Sequence, residues 1–203
     1  MSGNGKAMRV QSAAFHGLAL EAHALLTDIP LRDVTAIGLP GGGPGRTMAD
    51  VRALLPTGLL GAGGPLARAL FAVRRGLGRL FGWDRREPDD AAGSYLSRVS
   101  AEVRARSQVA PGTREGPVRL LYALEGESLA EIRNATAHAF LCAALREHAG
   151  EYRLYWAVYV KPTSWLTPVY MALIEPFRRF IVYPSLLAQI RRAWIERYAE
   201  RPK

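Results

Sequence analysis

Few side chains in this sequence combine a reactive type with a spacing that chemistry can use. His138 and Cys142 stand four residues apart in an alternating apolar run. On a strand they share a face yet sit roughly 13 Å apart, beyond the reach of a thiol–imidazole pair. His16 and His23 fall seven apart on one helical face with Glu21 nearby. No third ligand follows at metal spacing, so they read as surface histidines and no metal site is expected. Glu131 and Arg133 alternate on one strand face; they could orient a substrate, but an ordinary ion pair or solvated face is the more economical explanation. Gly41-Gly42-Gly43-Pro44-Gly45-Arg46-Thr47 has the glycines of an anion cradle ahead of a helix but neither the spacing nor the lysine of a P-loop, and reads as a structural loop. Asn134-Ala135-Thr136 fits the glycosylation pattern but reads as a turn. No catalytic residue is assigned and no cofactor is implied. The aromatics Tyr122, Trp156, Trp165, Phe177 and Trp194 can wall an apolar pocket or simply fill a core.

Those residues are positioned by elements that the pattern of apolar positions outlines. Ser12 to Leu26 carries Phe15, Leu18, Ala22, Leu25 and Leu26 at helical spacing and predicts one amphipathic helix ending before Pro30. Asp33 to Leu39, with Val34, Thr35 and Ile37, predicts a short strand. Thr47 caps a helix through Met48, Val51, Leu54 and Leu55, with Asp50 as the acid of a capping box. Pro65 opens another, with Leu66, Leu70, Val73, Leu77 and Leu80 along one stripe and Arg68, Arg75 and Arg79 along another. Arg85 to Gly93 reads as a mobile loop, and Ser94 to Ser107 as a further helix with Leu96, Val99 and Val103 inward.

From Val118 the period changes to two. Val118 to Glu125, Leu129 to Asn134, Ala137 to Arg146 and Tyr152 to Lys161, joined by short connections, predict an antiparallel meander. Thr167 to Tyr198 then forms a long helix with Leu173, Phe177, Phe180, Leu187, Ile190, Trp194 and Tyr198 on one face. Pro176 and Pro184 should kink or break it, while Pro168 suits its start. The fold class expected is α+β, with a curved antiparallel sheet packed on a long kinked carboxy-terminal helix and additional amino-terminal helices.

Alternation assigns the faces. Leu154, Trp156, Val158 and Val160 should look toward the long helix; Leu141, Ala143 and Leu145 share a face of their strand, and Leu120, Tyr122 and Leu124 a face of theirs. The expected lining of a cavity between sheet and helix is Leu120, Tyr122, Leu141, Leu145, Trp156, Val158, Leu173, Phe177 and Phe180. The opposite face, with Phe140, Cys142, Tyr155 and Tyr159, is too apolar to meet water. Either the first helix or a second subunit covers it.

The chain of 203 residues, about half of them apolar, suits one domain: a disordered tail over 1–10 and a single domain over 11–203. The net charge of +9 comes almost wholly from arginine, since Lys6, Lys161 and Lys203 are the only lysines. The basic residues recur as pairs on helical patterns rather than as one tract, which fits solvated helix faces. A lone Cys142 excludes an intramolecular disulfide framework. No signal core and no membrane-length apolar run is present, so a cytoplasmic protein is expected.

Arg133 to Phe140, Tyr155 to Val160, and Tyr170 to Arg179 together resemble a bacterial family of unknown function that is similar to the START-like, or SRPBCC, superfamily. The resemblance covers roughly Asp33 to Tyr198. It implies a helix-grip architecture, in which a curved sheet wraps a long carboxy-terminal helix around a cavity that takes lipids, sterols or polyketides.

The reading that follows is a module binding a small hydrophobic ligand. One alternative is a cyclase- or hydrolase-like enzyme using His138, Glu131 or a tyrosine in the same cavity. Another is a peripheral protein meeting an anionic membrane surface through Arg74, Arg75, Arg79, Leu77, Leu80, Phe81 and Trp83. A homodimer is compatible with either. Nucleic acid ranks last as a partner, for want of a recognised module.

Overall fold

The computed structural model describes residues 5–54, 93–115, 118–133, 137–148, 150–162 and 182–198, with single positions at 172, 175, 176 and 179. Its frame is one curved antiparallel sheet of seven strands: β1 (Met8–Arg9), β2 (Leu31–Leu39), β3 (Arg114–Glu115), β4 (Val118–Ala123), β5 (Glu127–Arg133), β6 (Ala137–His148) and β7 (Glu151–Pro162). The order across the sheet is β1-β2-β7-β6-β5-β4-β3. The four-stranded meander expected from Val118 onward is present. The strand expected at Asp33 to Leu39 joins it by pairing with β7, Val34 opposite Ala157 and Ile37 opposite Leu154. Two-residue strands close both edges: β1, from the stretch read as a tail, pairs with β2, and β3 pairs with β4. Edges this short leave few unpaired backbone groups for another chain to template.

The β6–β7 hairpin is the longest pairing, running from Ala137 opposite Pro162 to His148 opposite Glu151. Gly150, at φ +78°, supplies the left-handed residue that its tight turn requires. Along both strands alternate residues go to opposite layers, as the period of two demands. Leu154, Trp156, Val158 and Val160 enter one core with Ala143 and Leu145. Phe140, Cys142, Ala144, Ala157 and Tyr159 enter the other.

The first core lies under the carboxy-terminal helix, α5 (Tyr183–Tyr198), whose Leu187, Ile190 and Trp194 are fully buried. Helix α3 (Met48–Ala53) adds Met48 and Val51. Its capping box is formed as expected: the Asp50 carboxylate accepts from Thr47 N–H at 2.9 Å, and Thr47 Oγ1 accepts from Ala49 N–H at 3.3 Å. Pro184 is the second residue of α5. Arg179 and Val182, just before it, are π-helical, so the helix is irregular where proline predicted it to be.

The second core is covered from within the chain. The single helix expected over Ser12 to Leu26 is instead two, α1 (Ser12–His16) and α2 (Glu21–Leu25), because the chain turns at Gly17 and is extended at Leu20. The break lets Phe15, Leu20, Ala22 and Leu26 all reach the sheet. The expected helix over Ser94 to Ser107 is likewise a 3-10 turn, Tyr95–Arg98, followed by α4 (Ala101–Arg106), each capped by its preceding serine. Tyr95, Val99 and Val103 complete this layer. The helix expected from Pro65, the loop from Arg85 and the membrane-surface residues Arg74, Arg75, Leu77, Arg79, Leu80, Phe81 and Trp83 lie outside the described residues.

Candidate functional site

On the α5 side, the sheet brings together most of the residues expected to line a cavity. Leu145, Trp156 and Val158 are buried beneath the helix, and Leu141 packs partly buried beside them. Leu120 shares a register row with Ala130, Leu141 and Val158. Leu173, Phe177 and Phe180 lie outside the described residues.

Tyr122 does not belong with this set. Leu120 pairs with Ala130 but Tyr122 pairs with Leu129, so β4 carries one extra residue, Leu121, where β5 carries none. Such a bulge moves every following side chain to the other face. Tyr122 is therefore buried on the α2 side, in the row of Leu129, Cys142 and Ala157.

Two features of the α5 side are unusual for a core. Its middle carries polar residues: Thr35 and Ser128 share a row with Trp156, and Asp33 is one row away beside Val158. Asp33 and Ser128 are both buried. The Trp156 indole N–H is also buried and has no acceptor among the described residues. Its ring stands 6.4 Å from that of Tyr183, at the start of α5. Native proteins pair nearly all buried donors, because one left unmade costs about 1–3 kcal/mol.

The far side of the sheet holds two buried glutamates among the described residues. Glu127, Leu129 and Glu131 alternate toward it along β5. Glu131 is cradled: His138 Nε2 donates to Oε2 at 2.9 Å, Tyr95 N–H donates to the same oxygen at 3.1 Å, and the Ser94 hydroxyl donates to Oε1. Arg119 lies 3.8 Å from Oε1. Burial by itself would raise this carboxyl, but the bonds from His138, Ser94 and Tyr95 outweigh it and leave Glu131 below its ordinary value. The carboxylate lies between hydroxyl and imidazole, so His138 is not placed to take a proton from Ser94 as a nucleophile's base would. The cluster staples the 3-10 turn to the sheet. Neither Glu131 nor His138 faces α5, which removes them from the acid–base roles expected of them in a sheet–helix cavity.

Glu127 is the mirror case at the other end of the strand. Its Oε1 accepts from Tyr122 Oη at 2.7 Å and from Ala22 N–H at 3.3 Å. Here burial prevails and raises the carboxyl above its ordinary value, against those bonds and the nearby Arg146. Burial and the neighbouring carboxylate raise Tyr122 far above the normal phenol range, and burial raises the Cys142 thiol. Glu127 forms part of the wall of an open cleft of about 780 Å³, together with Ala19, Leu20, Glu21, Arg106, Gln108 and Arg146.

His16 and His23 stack with ring centroids 4.9 Å apart, but both His23 nitrogens are engaged, Nδ1 with Tyr159 Oη and Nε2 with the Phe15 carbonyl. Among the described residues no three His, Cys, Asp or Glu side chains gather as metal ligands would. No described helix is long and apolar enough to cross a membrane.

Sequence reasoning passed over Glu127, Ser94 and Asp33. The signal for Glu127 lay in the β5–β6 hairpin. Once Leu129 is set opposite Cys142, Glu131 and Glu127 fall near His138 and Arg146, at the two ends of the apolar trio Phe140, Cys142 and Ala144.

Residues 25–185, more than half of the chain, match the family described as "Protein of unknown function (DUF2867)". The chain belongs to that family. Comparisons with curated proteins and with solved structures give no match. Membership therefore brings no activity with it, and the family's chemistry has to be read from the two faces of the sheet.

Proposed function

We propose that this DUF2867 chain binds a small hydrophobic molecule between the sheet and its carboxy-terminal helix, in the helix-grip manner of START-like domains. The supporting observation is the Trp156 indole N–H, a buried donor without an acceptor among the described residues, on a largely apolar face. Pockets for such ligands are mostly apolar with a few polar groups that fix orientation. Thr35, Ser128 and Asp33, clustered around Trp156 by register, fit that description. The ligand in this reading is a lipid-, sterol- or polyketide-like molecule whose single oxygen accepts from Trp156. Its apolar body lies near Leu120, Leu141 and Val158, past Trp156 and Tyr183 and away from the end of α5 that Trp194 occupies. The reading makes the protein a cytoplasmic carrier or sensor; of the acid–base candidates, His138 and Glu131 face the other way.

Gentle native mass spectrometry of protein purified without added ligand, with solvent extraction of what it carries, tests this directly. Addition of 1-dodecanol should then shift the Trp156 indole resonance in a ¹H–¹⁵N spectrum, assigned by its loss in Trp156→Phe. An empty protein whose Trp156 signal ignores 1-dodecanol, palmitate and cholesterol alike would overturn the proposal.

A further inference from the structure

The open cleft on the opposite side of the sheet is independent of that ligand site, and the distribution of its charges is informative. It is bounded by the α1–α2 link (Ala19, Leu20, Glu21), by Arg106 and Gln108, by the β4–β5 turn (Leu124, Glu125, Gly126, Glu127) and by Arg146. Both cationic heads have partners within the chain. Arg146 donates to the carbonyls of Gly126 and Leu145, each at 2.8 Å, and of Ala19 at 2.7 Å. Arg106 is paired with Glu21 across the rim.

The carboxylates are not spent. Glu127 is 3% exposed, and its Oε1 takes both of its hydrogen bonds. Oε2 has no partner among the described residues. Glu125 is exposed at the cleft's edge, also without a side-chain partner there. An anion entering would compete with the carbonyls and the carboxylate that these two guanidinium groups already hold, and would pass the exposed Glu125 carboxylate. A cation would meet an available carboxylate oxygen at the buried end and a second at the mouth, with Leu20 and Leu124 offering apolar wall between them. At about 780 Å³ the cleft is within the size range of small-molecule sites.

We infer that this cleft is a second binding site, for a small organic cation: a primary ammonium on a short apolar body, seated with its charge on Glu127 Oε2. The groups that face Glu127 are Glu21 from α2, Tyr122 from β4, Cys142 and Arg146 from β6, and Tyr159 from β7. Arg106 and Glu125 stand farther out around the cleft. Burial raises the Glu127 carboxyl, so the empty site holds its proton more tightly than a free glutamate does. A bound ammonium reverses that preference, and the proton on Glu127 leaves to solvent as the cation enters. Binding therefore releases protons wherever the empty carboxyl is protonated, and it strengthens as pH rises through the titration of Glu127. The chain's net charge of +9 opposes approach at long range only, since physiological salt screens charges beyond about 8 Å.

The test uses the full chain at physiological salt, titrated calorimetrically with butylammonium, and with butyrate and 1-butanol as anionic and neutral controls of equal size. Repeating the titration in two buffers of different ionisation enthalpy counts the protons released. The expected results are saturable binding of butylammonium in the range of about 1 mM, tighter at higher pH and with net proton release, and no saturation by butyrate. Glu127→Gln should weaken it at least about tenfold and abolish proton release, while Glu125→Gln, at the exposed mouth, should weaken it only a few-fold. A urea transition like that of the wild type shows that Glu127→Gln is folded. Butyrate binding as well as butylammonium, binding indifferent to Glu127→Gln, or no saturation by butylammonium up to about 50 mM would each overturn the inference.

Discussion

Glu131 accepts the His138 Nε2 proton at 2.9 Å on the side of the sheet turned away from α5. Two residues that sequence alone offers as alternative acid–base candidates are joined to each other, and the Ser94 hydroxyl occupies the remaining carboxylate oxygen. This makes the pair a clamp on the 3-10 turn, and a clamp has a thermodynamic signature. Glu131→Gln, which keeps the shape and removes the charge, should cost about 2–3 kcal/mol at neutral pH. The folded carboxyl lies below its unfolded value of 4.5, so its stabilisation is complete above that value and is lost as pH falls through the folded one. Urea midpoints of wild type and variant should differ by a constant amount from pH 7 to about 5 and converge below 4.5. A difference that ignores acid would contradict the clamp.

Cys142 sits beneath α2, fully buried and with its thiol raised by that burial. Only the thiolate reacts readily. Ellman's reagent should therefore leave the native protein untouched at pH 8 and titrate one thiol per chain once urea unfolds it. Prompt labelling of the native protein would mean that α1, α2 and the 3-10 turn do not cover this face as described.

How far this architecture can be read from sequence depends on where the alternation is unbroken. Along β6 and β7 it is, and Leu145, Leu154, Trp156 and Val158 fall under α5 as the period of two requires. Along β4 one extra residue, Leu121, sends Tyr122 to the opposite core, and no local signal marks it: Leu120-Leu121-Tyr122 is apolar throughout. The amino-terminal helix failed for a related reason. Its apolar spacing is helical from Phe15 to Leu26, but Gly17 and the extended Leu20 divide it because two short helices cover the curved sheet where one rod would not. Buried carboxylates are harder still to read, since Glu127 and Glu131 show the same local pattern. Their environments differ through partners from other elements: Tyr122, Arg146 and α2 at Glu127, and His138, Arg119 and the 3-10 turn at Glu131.

The glycine-rich loop after β2 proves to be a packing device against α5. Gly42 has φ +99°, and a Cβ there would stand 2.8 Å from Trp194 Cζ2. The indole is held by its N–H donated to the Pro40 carbonyl at 3.2 Å. Gly42→Ala should destabilise by about 2–3 kcal/mol, combining backbone strain with displacement of the ring. Gly43→Ala is the internal control: its φ of +66° is also left-handed, but nothing lies within 4 Å of its Cβ. It should cost only about 1 kcal/mol. Equal costs in thermal unfolding would show that Trp194 does not fill the space above Gly42.

Glu127 gives a pH dependence opposite to that of Glu131, and the two together separate burial from hydrogen bonding as causes. The folded carboxyl lies above its unfolded value of 4.5, because burial outweighs Tyr122, Ala22 and Arg146. Through the window between those two values the folded state holds more protons, so stability falls as pH rises and then levels off above the folded value. Glu127→Gln keeps an acceptor for Tyr122 Oη and Ala22 N–H while removing the cost of a buried charge. The variant should match the wild type below about pH 4.5 and exceed it at pH 8, by on the order of 1 kcal/mol for each unit by which the carboxyl is raised. Denaturation curves collected at both pH values decide the matter. A variant less stable than wild type at pH 8 would mean that Glu127 is ionised and paired in the folded protein, in the manner of Glu131.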